Sequence, residues 1–327
     1  MPDKQGKKGG ASTGTVLIAL AVNAIVAVAK GVAGVISGSS ALLAEAAHSV
    51  ADTLNEVFLL VALKRGARAA DQTHPFGYGK ERFFWSLIAA VGIFVAGAMF
   101  SFFEGYQTLT GPPGEESGFL IPYLVLAFAF LLEGTSLARA IRQVRREARA
   151  ANKGMLAHIR SSDDPTVKTV ASEDSAALVG IAIAAAGVLG DQLTGDALYQ
   201  GIASLLIGVL LVYVAYALGR DSMGLLIGES ADPATRDEIT AQLLSYEEVD
   251  QVIDVLTMRI GTRRLLVAVR LDFGTSLSSD EIEYVSTRID EGLHRRFPII
   301  DQLFLDATSR TEKRPRERRE AREQLGT

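Results

Sequence analysis

Ala47-His48-Ser49-Val50-Ala51-Asp52 sets a histidine and a carboxylate four residues apart inside a long apolar run. On a helix that spacing stacks both side chains on one face, a turn apart. Ionisable groups in a hydrocarbon layer are costly and mark functional sites. An imidazole nitrogen beside carboxylate oxygens is also a donor set that zinc-like dications accept. Reading backward adds Glu45, so Glu45, His48 and Asp52 share one stripe. A lone intramembrane histidine serves as readily to hydrogen-bond a neighbouring helix; three polar residues on one stripe favour a metal site. The stretch therefore points to a membrane protein that binds and moves a divalent metal.

The wider composition agrees. Of 327 residues 48% are hydrophobic, and the mean hydropathy is +0.23. Roughly the first two thirds alternate long apolar runs with short polar connections, and the last third reads as a soluble domain, so two domains fit the length. With no cysteine, disulfides, thiolate metal sites and thiol nucleophiles are excluded. The net charge of -5 carries less information than where the charges lie. Lys4, Lys7 and Lys8 precede the first apolar run, which continues too far for a cleaved leader and reads as a retained membrane helix.

A bilayer core of about 30 Å needs about 20 apolar residues per helix. Six stretches meet that length: 15–37, 41–63, 83–103, 119–138, 169–189 and 197–218. The second and fifth are the least apolar and carry the ionisable residues, as helices lining a protein interior should. Lys and Arg crowd the N-terminus, the second-to-third connection (Lys64, Arg65, Arg68, Lys80, Arg82) and the fourth-to-fifth (from Arg139 to Lys168). Connections 38–40, 108–118 and 190–196 hold none. The positive-inside bias puts both termini in the cytoplasm.

From Gly228 the pattern changes. Asp232-Pro233 reads as a helix start running to about Leu244. Residues 249–260 and 264–273 read as strands joined around Gly261-Thr262, 278–296 as a helix and 302–307 as a last strand. The order α-β-β-α-β predicts an open α+β sandwich with its helices on one face of a small sheet. Expected boundaries are a cytoplasmic tail at 1–14, a six-helix transport domain at 15–220, a cytoplasmic α+β domain at 221–309 and a charged, disordered tail at 310–327.

Further carboxylates lie in the fifth run, where Glu173 and Asp174 follow Ser172 about one turn inside. Adjacent residues point about 100° apart on a helix, so the two need not enter one site. Asp174 can supply a third ligand, leaving a fourth to Glu173, Glu45 or water. The alternative is that both simply occupy a first helical turn, where acids suit the dipole. His74, beside a proline and two glycines, reads as a loop residue, and Glu104 and Glu133 as residues near helix ends. Asn23 and Lys30 are unusual in the first run, and Lys30 is deep enough to need snorkelling or a carboxylate partner. No Walker-type phosphate loop and no His-Glu-x-x-His occur, and only four histidines exist, which disfavours ATP-driven pumping and zinc proteolysis. The basic loops fit membrane orientation rather than nucleic-acid binding.

Four passages together resemble the cation diffusion facilitator family of divalent-metal/proton antiporters: Asn23 through Lys30 to Gly34; Ser39 through Glu45 into His48-x-x-x-Asp52; His74-Pro75-Phe76-Gly77-Tyr78-Gly79-Lys80-Glu81; and Asp174 followed by Gly180. The resemblance runs over nearly the whole chain. It implies a transport site of His/Asp-x-x-x-Asp on the second and on the fifth helix. The first half falls on His48 and Asp52, and in the second Asp174 matches. Four residues before Asp174, however, stands Val170, which cannot ligate. Asp163-Asp164-Pro165 and Glu173-Asp174 are similar instead to the subgroup of the ninth mammalian zinc transporter, so Glu173 becomes the expected displaced ligand. The tail resembles that family's ferredoxin-like dimerisation domain, implying a homodimer, although with only His294 there a metal cluster is not expected.

The expected function is thus export of a divalent cation, Zn²⁺ first, with Mn²⁺, Co²⁺ or Fe²⁺ tolerated by the same ligands, in exchange for protons. No prosthetic group and no enzymatic activity are expected. The Ala- and Arg-rich composition suits a bacterial plasma membrane. Two other classes compete: a non-transporting membrane-anchored metal sensor or dimerisation scaffold, and an intramembrane aspartyl hydrolase built on Asp52 and Asp174.

Overall fold

A computed structural model describes residues 13–111, 118–150, 165–274 and 277–308. The expectations for 1–12, for Asp163-Asp164 and for the tail from 309 lie outside them. Two compact units emerge. Among the described residues, one is formed by those up to Arg68 and from Glu81 to Met223, the other by Ala69–Lys80 together with those from Gly224.

Six apolar helices long enough to cross a membrane make the first unit. They are α1 (Thr13–Ser37), α2 (Ser40–Gly66), a third span built from α3 (Glu81–Gly92), a π-helical segment (Ile93–Ala98) and α4 (Met99–Thr110), then α5 (Leu120–Ala150), α6 (Pro165–Thr194) and α7 (Leu198–Ile227). Each expected apolar run lies within one of these spans apart from a residue or so at its ends, and α5 continues past its apolar part into the arginine-rich stretch. Exposed Ile25, Val28, Val32 and Val35 stripe one side of α1, the arrangement a helix facing acyl chains needs.

The N-terminal half of α2 is buried almost all round, and its buried residues are chiefly Ala and Ser. Small side chains let neighbouring backbones close in, which is how helices associate where lipid removes any hydrophobic drive. Ser39 caps α2 by accepting from the Leu42 amide at 3.3 Å. The same hydroxyl donates to Gln200 of α7 at 2.5 Å, and the Gln200 amide donates in turn to Asp191 of α6. That chain ties the α1–α2 turn to two other helices. The π-helical segment, packed on α2, has no signature in the hydropathy pattern.

The second unit is α8 (Pro233–Leu243), β1 (Val249–Gly261), β2 (Arg264–Phe273), α9 (Ser279–Arg296) and β3 (Ile300–Ala307). β1 and β2 pair antiparallel, β2 and β3 parallel, with β2 central. Asp232 caps α8 from the Thr235 amide with Pro233 in the first turn, and Ser278 and Glu281 form a reciprocal capping box on α9. On β2 every second residue is buried, from Leu265 to Phe273. These pack against Ile239 and Leu243 of α8 and Val285, Ile289 and Leu293 of α9. Both helices therefore share one face, in the expected α-β-β-α-β order, and β3 begins two residues earlier than its sequence pattern indicates.

The segment 69–80, a connection in sequence, packs with this unit. Asp71 organises it: its carboxylate accepts from the Tyr78 hydroxyl at 2.7 Å and from the Thr73 and His74 amides, which holds it below the usual carboxylate range. His74 packs against Tyr78 with the rings tilted by 36° and their centroids 4.2 Å apart, the loop residue anticipated. A Cβ on Gly79 would strike the Ile260 carbonyl and sit 2.9 Å from Gly261 Cα, so only glycine lets the segment reach the β1–β2 turn.

Arg264 binds Asp301 through two hydrogen bonds of 2.9 and 2.8 Å, joining the start of β2 to β3. Hydrogen bonding by that guanidinium holds the Asp301 carboxyl low. A lowered folded value stabilises above the ordinary value near ~3.9 and is lost as pH falls through the folded one. Asp301→Asn is therefore expected to cost about 0.5–1 kcal/mol at pH 7, as partly exposed pairs do, read as faster hydrogen exchange in β3. The deficit should close as the pH falls through the lowered folded value of Asp301, and a deficit unchanged down to the acid limit of folding would refute the ionic account.

Candidate metal site

The polar stripe of α2 faces inward. Lys30, reaching from α1, is 1% exposed, Glu45 0% and His48 3%. Lys30 Nζ donates to Glu45 Oε2 at 2.8 Å and to Ser49 Oγ at 2.9 Å, so the lysine has the carboxylate partner its depth demands. Breaking such a buried pair by removing one member costs about 3–5 kcal/mol, because the other charge is left unpaired. Beyond the pair, Glu45 Oε1 lies 3.7 Å from His48 Nδ1, and His48 Nε2 lies 3.6 Å from Asp52 Oδ2. Asp52, 24% exposed in its side chain, is the open end of this chain of contacts.

Gly180 of α6 supplies the wall. A Cβ there would overlap Glu45 Oε1 and lie 3.2 Å from His48 Nδ1. The helix that carries Asp174 can approach α2 only because this residue has no side chain.

Asp174 itself has a hydroxyl partner, Ser136 of α5, and Asp52 lies within its electrostatic reach. Its Oδ2 is buried with no hydrogen-bond partner. Glu173 accepts from Asn55 Nδ2 at 2.7 Å and shares the field of Asp52, Asp174 and Glu56. Val170 stands one turn before Asp174 on α6. His48 and Asp52 are thus brought together, and Asp174 and Glu173 are near them, but among the described residues no three His, Asp or Glu side chains close into a ligand set. Carboxylates sharing a field repel one another; Glu173 accepts from Asn55 and Glu56 from Asn23 at 3.0 Å, while Ser136 and Arg139 act on Asp174.

Glu56 does have a signal in the sequence. It lies four residues beyond Asp52 and so continues the stripe by the same helical spacing. Glu133, read from sequence as a helix-end residue, lies within the field of Asp52 and Asp174.

Six spans around buried, unequally paired charges define a polytopic membrane protein with an ionisable site inside its helical unit. Residues 16–227 match the cation efflux transmembrane domain, and the chain belongs to that family, the cation diffusion facilitators. It is 37% identical to metal tolerance protein C4 of Arabidopsis thaliana over 72% of this chain and 52% of that protein. It is 32% identical to the mitochondrial proton-coupled zinc antiporter of Homo sapiens over 79% of this chain and 45% of that protein. The chain thus spans about half the length of these relatives. It is also 24% identical to the manganese efflux system protein MneP of Bacillus subtilis, over 88% of this chain and 93% of that protein. These relatives bear the names of transporters and a metal tolerance protein, not of enzymes.

Gly180→Ala is expected to destabilise the membrane unit by about 1–3 kcal/mol, the range for overpacking, since Glu45 is held by Lys30 and cannot yield. Thermal unfolding in detergent reads the loss. An unchanged midpoint would mean that α6 and α2 do not meet at this glycine.

Proposed function

We propose that the chain exports a divalent metal cation from the cytoplasm in exchange for protons, with Zn²⁺ the first substrate. One observation carries the reading: His48 Nε2 and Asp52 Oδ2 face each other across 3.6 Å in the interior of a membrane span. The buried, unpartnered Oδ2 of Asp174 supports it. His48, Asp52, Asp174 and Glu173 are the ligands in this reading, the last giving whichever oxygen Asn55 leaves free.

These groups explain coupling without any further device. Metal binding requires a neutral imidazole and ionised carboxylates, so loading the cation displaces protons and protonation ejects the cation. Binding sites of secondary transporters lie near mid-membrane, where helices rock to open the site to each side in turn. Inward proton flow would then drive metal out.

One imidazole among carboxylates suits Zn²⁺ and also admits Mn²⁺, Co²⁺ and Fe²⁺. The relatives named for zinc antiport and for manganese efflux span that choice, and the first of them favours zinc. The Lys/Arg bias of the connections puts both termini in the cytoplasm, the composition suits a bacterial plasma membrane, and the α+β unit would pair two copies into a homodimer.

The test is flux in proteoliposomes with an internal pH reporter and several dications outside. Zn²⁺ entry should be accompanied by proton exit, and His48→Ala, Asp52→Ala and Asp174→Ala should each abolish both while the protein still elutes as a folded species. Wild-type flux in Asp52→Ala would refute the site. A protein that dimerises through its tail yet moves no ion would favour the sensor or scaffold instead.

A further inference from the structure

Two buried polar atoms, Glu45 Oε1 and His48 Nδ1, face one another with no hydrogen-bond partner of their own. We propose that Glu45 is the positioning group of the His48 imidazole: Oε1 accepts the Nδ1–H, leaving Nε2 as the lone-pair nitrogen aimed at Asp52 and the transported cation. This rests on the transport-site reading above and deepens it by removing Glu45 from the candidate ligands.

A neutral imidazole carries one ring proton, and the hydrogen bond made by one nitrogen decides the role of the other. Here both nitrogens face carboxylates, Nδ1 toward Glu45 and Nε2 toward Asp52. The two carboxylates are not equivalent. Glu45 is fully buried, its other oxygen is taken by Lys30, and Gly180 closes the side toward α6. Neither water nor a metal ion has a way to Oε1, so only the ring proton can satisfy it. Asp52 keeps 24% of its side-chain surface exposed, so of the two carboxylates it is the one an ion can touch. The proton therefore belongs on the closed side of the ring and the lone pair on the open side.

Lys30 has a second effect. By neutralising Glu45 it keeps that carboxylate from drawing the cation past His48, so the charge offered to the ion comes from Asp52, the α6 acids and the neighbouring Glu56 and Glu133. A carboxylate behind a ligating histidine orients the ring and raises its basicity, and losing such a partner weakens metal binding about 10–100-fold.

The experiment uses the full chain, labelled with ¹⁵N-histidine in lipid bilayers. With four histidines, the spectrum is simple, and His48→Gln identifies the His48 signals. Without metal, wild type should show His48 in the Nδ1–H form, and added Zn²⁺ should shift Nε2. Two double variants remove the buried charges together, since removing one would strand the other. Lys30→Met/Glu45→Leu deletes the acceptor and should give mixed tautomers with Zn²⁺ binding weaker by about 10–100-fold. Lys30→Met/Glu45→Gln keeps an acceptor oxygen and should retain the Nδ1–H form and most of the affinity. An Nε2–H tautomer in wild type overturns the proposal. So does a Leu variant that keeps both the tautomer and the affinity, or a Gln variant that behaves like a folded Leu variant. If the Leu variant does not fold, the wild-type spectrum and the Gln variant still decide. A Glu45-dependent tautomer with no response of Nε2 to Zn²⁺ would instead leave the positioning role standing and defeat the transport site.

Discussion

Lys30 and Glu45 meet at 2.8 Å where neither has access to water. A single charge at that depth would be expensive enough to prevent the helices from packing; together with Ser49 the two are satisfied. Because one partner stands on α1 and the other on α2, the pair also sets which faces of those helices meet. The candidate site in the membrane unit is built around that contact. His48 and Asp52 follow Glu45 by one and two turns, and Gly180 brings α6 against the same carboxylate.

The acids then divide into two kinds. Glu45 is closed in and matched by a permanent cation. Among the described residues Asp52, Glu173 and Glu56 contact an imidazole and neutral amides, while Lys30 acts on Asp52 and Arg139 on Asp174 only through the field. Neutral donors orient a carboxylate without cancelling its charge, so this second group is held in place while remaining able to attract a dication or protons. On the antiport reading that division is functional: a fixed salt bridge organises the helices and a separate set of incompletely compensated acids exchanges its cations.

The second unit follows the physics of soluble proteins. Alternation along β2 and the i, i+4 spacing of Val285, Ile289 and Leu293 fill one core, and side-chain caps set the helix starts. The 69–80 segment is the exception. Its order comes from Asp71 and Tyr78 within it and from a glycine-permitted approach to the β1–β2 turn, and neither contact produces periodicity.

Sequence alone determined the number and limits of the spans, because hydrocarbon thickness imposes a length that apolar runs must match. It also determined the order of elements in the α+β unit and the grouping of Glu45, His48 and Asp52, since helical and strand spacing are local properties. It left Lys30 either to snorkel or to find a carboxylate partner, without choosing between them. Tertiary structure decided that the partner is Glu45, that Glu56 and Glu133 lie in the field of Asp52, that Gly180 is where α6 meets α2, that a π-helical segment interrupts the third span, and that 69–80 packs with the α+β unit. Those outcomes depend on how helices distant in sequence come together, and no local pattern encodes which buried charge will find which other.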